Sequence, residues 1–285
     1  MSRTVRALHP AHRDDIMDLV TRRPLPGPRV DHLGPFLFLN HHGPQTYAPH
    51  NKGLPFGPHP HRGFETVTFI LEGSLAHSDT GGHESVIDAG GVQWMTAGSG
   101  LVHAELSPDS FKRSGGPMEI LQLWVNLPRK LKMTTPRYAG LQAGDIPKAE
   151  LSDGVTVEVI AGRFGETDGP FDSLTGVAMS VVRMRAGARA ELPAPRGRAV
   201  FLYVVRGEAE IAGTAAPAFN LVEMDDGDGV SVTATADTVL LFGHADPIGE
   251  PIVAHGPFVM TSREEIVQAY EDYRAGKFER SPEAV

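Results

Sequence analysis

The stretch "HPHRGFETVTFILEG", residues 59 to 73, joins two histidines, one residue apart, to a run typical of a buried β-strand. The run is rich in β-branched and aromatic residues and ends at Gly73. Successive side chains of a strand point to opposite faces, so His59 and His61 share one face. The stretch therefore predicts a buried β-strand with two imidazoles aimed at one point.

Segments of strand length recur along the chain and end at Gly, Pro or Asp. In the first half they are 35–40, 66–73, 92–98 and 118–128, and in the second half they are 155–162, 176–184, 199–211, 229–234 and 238–243. The 32 Gly and 23 Pro among 285 residues favour short strands and tight turns over a helical fold. We predict an all-β protein.

The two series of strands predict two domains. Between them, residues 129–154 are mixed in character and broken by Pro and Gly, so we place a single boundary there, with domains at 1–135 and 136–285. The segments 69–75 and 203–209 are both strand–Gly–strand passages, which indicates two tandem β-barrels of similar plan.

The C-terminal end of the chain has a helical pattern. Ser262 and Glu265 form a capping-box sequence, apolar residues and tyrosines follow at helical spacing, and Gly276 is placed to stop the helix. We predict one amphipathic helix at about 263–275, belonging to the second domain, whose tyrosines serve packing.

Composition and charge exclude several classes of function. The net charge of −9 argues against direct binding to nucleic acid, which depends on Lys and Arg meeting phosphates. No apolar run approaches the ~18 residues of a membrane span, and the first thirty residues carry charges where a signal peptide is apolar, so we expect a cytoplasmic protein. Without any cysteine, a metal must be held by imidazole and oxygen.

A second pair of metal-ligand residues follows the first. His103 and Glu105 again stand two residues apart in strand-like sequence. Two such pairs on neighbouring strands can present three imidazoles and one carboxylate to a divalent ion, at ~2.0 to 2.2 Å by analogy with zinc ligands. The sequence thus predicts a metal site in the first domain.

The other histidines are not expected to bind metal. His41 and His42 are adjacent and face opposite ways, which suits one buried and one exposed residue. Six more stand in polar or turn-rich sequence and are expected on the surface: His9, His12, His32, His50, His77 and His83. Glu65 is interpreted as an acceptor that orients a ligating imidazole, or as a further ligand. Arg62 is expected to form a salt bridge on the opposite face.

The second half does not repeat these pairs. The first histidine after His103 is His244. When Val230 is aligned with Val92, Leu241 and Gly243 occupy the positions of His103 and Glu105. His244 is then one residue out of register and faces the other side of its strand. We predict a metal-free second barrel filled with apolar side chains.

The motifs resemble those of a known family. The spacing from Gly53 through the HPH triplet to Glu65, followed by a Gly-rich turn and a late His, resembles the cupin motif pair. The long segments 36–44, 59–73, 92–105, 247–262 and 273–278 resemble the pirin family of bicupins. The sequence departs from the family at Gly91, where Asp is usual.

This resemblance implies two cupin barrels of jelly-roll type. It implies a mononuclear iron in the first barrel, bound by His59, His61, His103 and Glu105, and no metal in the second barrel. It also implies quercetin 2,3-dioxygenase activity, or the role of animal members as iron-dependent transcriptional cofactors.

From the residues and this resemblance we predict a dioxygenase that cleaves flavonols such as quercetin with O2 and releases CO. The cofactor is Fe(II), with manganese, nickel, cobalt, copper and zinc as alternatives. Glu105 is the predicted base for the flavonol proton, and Phe56, Phe64, Trp94 and Met95 are candidates for an apolar mouth. The alternatives are an iron-dependent redox sensor that binds a protein partner without turnover, and a purely structural metal.

Overall fold

The computed structural model describes residues 2–279, and β-strands dominate it. The strands are β1 (Val5–Pro10), β2 (His12–Arg13), β3 (Thr21–Leu25), β4 (Phe36–Tyr47), β5 (Phe56–His61), β6 (Phe64–Glu72), β7 (Ser74–Asp79), β8 (Glu84–Asp88), β9 (Val92–Thr96), β10 (Leu101–Leu106), β11 (Gly116–Asn126), β12 (Arg137–Leu141), β13 (Lys148–Ser152), β14 (Val155–Ala161), β15 (Arg163–Phe164), β16 (Thr167–Asp168), β17 (Ala178–Met184), β18 (Arg189–Pro193), β19 (Ala199–Arg206), β20 (Glu208–Ile211), β21 (Thr214–Pro217), β22 (Asn220–Met224), β23 (Gly229–Ala234), β24 (Thr238–Ala245), β25 (Val253–His255) and β26 (Phe258–Met260). The α-helices within the described residues are α1 (Asp109–Ser114) and α2 (Arg263–Arg274). The prediction of an all-β fold with a short C-terminal helix is confirmed.

The chain divides into two compact units. The N-terminal residues belong to the unit built mainly from the second half, and the C-terminal residues belong to the unit built mainly from the first half. The first-half unit contains Asp14–Thr21, Leu39–Ala143 and the chain from Ile248 onward. The second-half unit contains the chain up to Arg13, Arg22–Phe38 and Gly144–Pro247. This arrangement differs from the predicted single boundary between 135 and 136. The reason at the N-terminal end is that β1 pairs with β22, a strand of the second half.

The first-half unit is a sandwich of two antiparallel sheets. The smaller sheet has the order β5-β10-β7-β8, and in the larger one β12, β9, β6, β11 and β4 are successive neighbours. An apolar cluster between them draws on both sheets, with Ile70 and Ile120 from the larger and Leu75 and Ile87 from the smaller. The sheets stay separate in their hydrogen bonding, so the predicted barrel is an open jelly-roll sandwich.

The second-half unit repeats this plan. Its sheets have the orders β1-β22-β19-β24-β17-β14-β13 and β18-β23-β20-β21. Its core is a large cluster of buried aliphatic and aromatic side chains contributed by both sheets. The prediction of an apolar interior is confirmed.

The predicted alignment of the two halves was wrong. The counterpart of β10 is β23, because each is the second strand of the four-stranded sheet of its unit. Strand β24, which the alignment had matched to β10, lies in the larger sheet. The inward residues of β23 are Val230, Val232 and Ala234, all in the apolar core. His244 shares the face of Phe242, a core residue two positions earlier on β24, and therefore does not turn away as predicted.

Helix α2 is capped as its sequence predicts. The Ser262 side chain accepts a hydrogen bond from the Glu265 N–H, and the helix ends within one residue of the predicted position. Its buried face packs on Phe258. Tyr270 meets the Phe258 ring edge-on, with centroids 4.8 Å apart, so a packing role for this tyrosine is confirmed. The helix belongs to the first-half unit, not to the second domain as predicted.

Candidate metal centre

Strands β5 and β10 bring three histidines together. The strands are antiparallel, and His103 lies directly opposite His59. The ring centroids are 4.4 Å apart for His59 and His103, 4.8 Å for His59 and His61, and 4.9 Å for His61 and His103. One nitrogen of each imidazole lies within 4.8 Å of those of the other two. The strand register therefore produces the convergence predicted for these three residues.

Backbone carbonyls orient two of the imidazoles. Nδ1 of His59 lies 2.7 Å from the Gly57 oxygen, and Nδ1 of His61 lies 3.2 Å from the Pro257 oxygen. A carbonyl only accepts hydrogen bonds, so each Nδ1 carries the proton. Each Nε2 then has a free lone pair, which is the form in which histidine binds a metal.

His103 supplies the test of whether a metal fits. Its side chain is 2% exposed, and neither ring nitrogen has a hydrogen-bond partner. Buried polar atoms without partners are costly and rare. A cation bound among the three imidazoles would satisfy one nitrogen of His103 and the free lone pairs of its neighbours. The donor set therefore fits a metal ion.

Burial keeps the imidazoles of His61 and His103 neutral. It lowers the pKa of His61 to about 3, and the neighbouring His59 acts in the same direction. Burial likewise holds the pKa of His103 well below its usual value. Neutral imidazole is the ligating form, so little proton release accompanies binding at these two residues.

Glu105 lies beside the three histidines but outside their cluster. It is buried, and its Oε1 accepts hydrogen bonds from Gln93 Nε2 at 2.5 Å and Thr68 Oγ1 at 3.0 Å. Burial raises the pKa of Glu105, although nearby histidines and these two hydrogen bonds oppose the rise. Its ligation of a metal stays a prediction.

Glu65 points to the other face of β6, and its predicted part in the site was wrong. Its Oε1 accepts a hydrogen bond from Thr96 Oγ1 at 2.7 Å. Burial raises the pKa of Glu65 to about 7. The carbonyls of Gly57 and Pro257 take the orienting role that was assigned to this carboxylate. Arg62 forms the expected salt bridge, with Asp272 at 2.8 Å.

His77 is a buried residue that the sequence interpretation placed on the surface. It is 2% exposed, and its ring centroid lies 5.5 Å from that of His103. Its Nε2 lies 3.0 Å from Asp79 Oδ2, and its ring stacks on Tyr138. The available signal was the alternation of His77 with Leu75, a core residue of the same strand.

Two more expectations for histidines were wrong. His41 and His42 are both buried, because His41 Nε2 meets Glu119 Oε1 at 2.9 Å and His42 Nδ1 meets Thr21 Oγ1 at 2.8 Å. His9 is also buried and contacts an acidic side chain of β22. His12, His32, His50 and His83 are exposed as predicted.

The apolar wall near the histidines differs from the predicted one. Phe64 contacts His61 edge-on, with centroids 5.0 Å apart, and packs against Trp124, which was not among the predicted residues. Trp94 lies on the same face of β9 as Thr96, the partner of Glu65, and so points away from the centre. Phe56 is half-buried and faces His42.

The fold and the histidine cluster define a bicupin with a candidate metal centre in its first-half unit. Residues 18–125 match the Pirin family model, and residues 179–279 match the Pirin C-terminal cupin domain. The chain belongs to the pirin family. None of the helices within residues 2–279 is long and apolar enough to cross a membrane.

Relatives and solved structures agree with this assignment. The chain is 40% identical over 252 residues to a Pseudomonas aeruginosa protein named "Putative quercetin 2,3-dioxygenase", covering 88% of both, and 38% identical over 273 residues to human pirin, covering 91% of this chain and 89% of that protein. The crystal structure of an Acinetobacter baumannii quercetin 2,3-dioxygenase superposes with a TM-score of 0.92 at 32% identity, covering 98% and 99% of the two chains. An Escherichia coli pirin in complex with nickel(II) shares the fold, with a TM-score of 0.68 at 21% identity over 85% of this chain and 99% of that one.

Proposed function

We propose that the protein is a metal-dependent dioxygenase that opens flavonols such as quercetin with O2 and releases CO. The metal, Fe(II) in this proposal, is held by His59, His61, His103 and Glu105. The observation that carries the proposal is the buried, unpartnered imidazole of His103 between two imidazoles whose Nε2 lone pairs are free. The relatives and solved structures named for this activity support the choice of reaction.

The protein's residues divide the work as follows. When bound, a divalent ion supplies Lewis acidity and a template for oxygen donors. His59 and His61 hold fixed orientations through their Nδ1 hydrogen bonds. Trp124 is half-buried beside His61 and offers aromatic surface that suits a flat substrate, while the fully buried Phe64 packs against it.

Glu105 is the base in this proposal. Burial raises its pKa, which strengthens the carboxylate as a proton acceptor. It takes the proton of the flavonol 3-hydroxyl while Gln93 and Thr68 hold its Oε1. The flavonol is thereby deprotonated within the site.

Iron-loaded protein and a flavonol test the proposal. We expect protein loaded anaerobically with Fe(II) to consume O2 when quercetin is present and to release CO, measured by oxygen electrode and gas chromatography. His59→Ala should abolish both signals, and the exposed His32→Ala is the control. Metal binding without turnover on any flavonol would refute the enzyme and favour the redox-sensing alternative, and absence of metal binding would refute both.

A further inference from the structure

The C-terminal segment, residues 255–279, lies directly against the end of strand β5, where His61 stands. The carbonyl of Pro257 accepts the His61 Nδ1 hydrogen bond at 3.2 Å. The next residue, Phe258, forms a parallel bridge with Arg62. The Val259 N–H then donates to the Arg62 carbonyl at 3.1 Å. Consecutive residues of the segment thus contact a candidate ligand and the residue after it.

A buried lysine joins the same two stretches of chain. Lys132 is 1% exposed. Its ammonium donates to the carbonyl oxygens of Gly63 and Val259, both at 2.9 Å, and to Asn126 Oδ1 at 2.7 Å. The position of the segment relative to the turn that follows His61 is therefore fixed by backbone and side-chain hydrogen bonds together.

Helix α2 holds this arrangement through Arg62. Arg62 is 4% exposed, and its guanidinium donates from Nη1 to Asp272 Oδ2 at 2.8 Å and from Nε to the Ser99 carbonyl at 2.7 Å. Its central carbon lies 4.6 Å from the centroid of the Phe278 ring. Of these contacts, the ion pair with Asp272 is the one with a charged partner.

We propose that Asp272 is a positioning residue for the metal centre, acting through Arg62 on the His61–Pro257 hydrogen bond. The proposal rests on the metal centre of the proposed function and adds to it a contribution from the last helix of the chain. Asp272 touches no candidate ligand, and its effect passes through the residue next to one.

The physical reason lies in the orienting carbonyl. A hydrogen bond from the second nitrogen of a ligating histidine fixes its tautomer and ring orientation, and loss of such a partner typically lowers metal affinity 10–100-fold. Removal of the Asp272 charge leaves the buried positive charge of Arg62 without its negative partner. The Arg62 carbonyl accepts a backbone hydrogen bond from Val259. A displacement of Arg62 therefore moves Val259, and with it the Pro257 carbonyl shifts away from His61. Because Asp272 acts on His61 only through Arg62, we expect a loss of metal affinity at the lower end of this range, about 10-fold.

Metal affinity of a matched pair of variants tests this. Ni(II) is the probe, since imidazole suits nickel and the ion does not oxidise in air. In competition with a chromophoric chelator, Asp272→Asn should bind Ni(II) about 10-fold more weakly than wild type. Glu271→Gln removes the same charge from the neighbouring, exposed position of α2 and should bind like wild type. Equal affinities for wild type and a folded Asp272→Asn would overturn the proposal.

A second measurement does not need the metal. In ¹⁵N-labelled apoprotein, imidazole spectra should show His61 as the Nδ1–H tautomer in wild type and in Glu271→Gln, and as a mixture in Asp272→Asn. Unchanged tautomer in that variant would also overturn the proposal. If Asp272→Asn does not fold, Arg62→Lys, which keeps the charge but loses the planar fork, replaces it in both assays. Wild type that shows the tautomer but binds no Ni(II) would refute the metal centre while leaving the Asp272 effect on His61 measurable.

Discussion

The imidazole of His77 lies flat on the ring of Tyr138, with centroids 4.0 Å apart and planes inclined by 12°. The stacked ring donates to Asp79, which also accepts from His83. Burial alone would raise the pKa of Asp79, but the hydrogen bonds from the two histidines outweigh it and hold this pKa below its usual value. The smaller sheet of the first-half unit thus contains a buried, charged carboxylate beside the candidate metal centre.

His77→Phe should destabilise the protein without weakening metal binding. Phenylalanine keeps the stacking on Tyr138 but leaves Asp79 without its buried donor, at a cost of about 1–3 kcal/mol. Urea unfolding measures this loss. The candidate ligands take no hydrogen bond from His77, so Ni(II) affinity should stay within about 3-fold of wild type. A fall in Ni(II) affinity as large as that of His103→Ala would show that His77 belongs to the ligand set.

Glu105→Gln tests the fourth ligand. If the carboxylate ligates, the neutral amide should lower Ni(II) affinity, and we expect about a 10–100-fold loss, by analogy with the cost of losing a neighbouring group. Competition with a chelator measures the affinity, and Glu84→Gln on the exposed side of β8 is the control. An affinity equal to that of wild type would limit the site to the three histidines.

The local part of this structure was predictable from sequence. Alternation along a strand is a property of a few consecutive residues, so it placed His59 and His61 on one face before any partner strand was known. The capping residues of α2 are local in the same sense, and the helix ends within one residue of its predicted limit.

Burial of a polar residue was predictable only where the local pattern marks it. His77 alternates with the core residue Leu75 on one strand, so its burial had a local signal. His42 is buried against Thr21, a distant partner that the sequence around the histidine does not mark. The assignment of the N-terminal residues to the second-half unit has the same origin, since the pairing of β1 with β22 joins the start of the chain to a strand of the second half.

The error at Glu65 has a local cause. Strict alternation from His61 would place Glu65 on the same face, but Gly63 has a φ of +89° and separates β5 from β6. After this bend the inward residues are Phe64 and Thr68, so Glu65 turns to the opposite face. One residue in the left-handed region was enough to reverse the alternation.

Glu65→Gln should change the pH dependence of stability. The folded pKa of about 7 lies above the ordinary 4.5, so the folded protein holds a proton that the unfolded chain releases between these values. Wild type therefore loses stability from pH 4.5 to 7, by up to about 3 kcal/mol, and the cost persists above pH 7. Glutamine does not titrate, so between pH 4.5 and 8 the free energy of unfolding of the variant should rise relative to that of wild type by this amount. Urea unfolding at these pH values measures it, and a pH-independent difference would contradict the assigned cause.

Gly63→Ala should disrupt both the fold and the metal centre. A side chain at this positive φ is strained, and its Cβ would overlap the backbone oxygen of Val259, which accepts a hydrogen bond from Lys132. Backbone strain alone costs about 1–3 kcal/mol, and the overlap also pushes the C-terminal segment away from His61. We expect a loss of more than about 2 kcal/mol in urea unfolding and weaker Ni(II) binding. Gly144→Ala has open space around its Cβ and no positive φ, so it should change neither quantity much. Equal behaviour of the two variants would show that the bend at Gly63 tolerates a side chain and that the segment is not held against it.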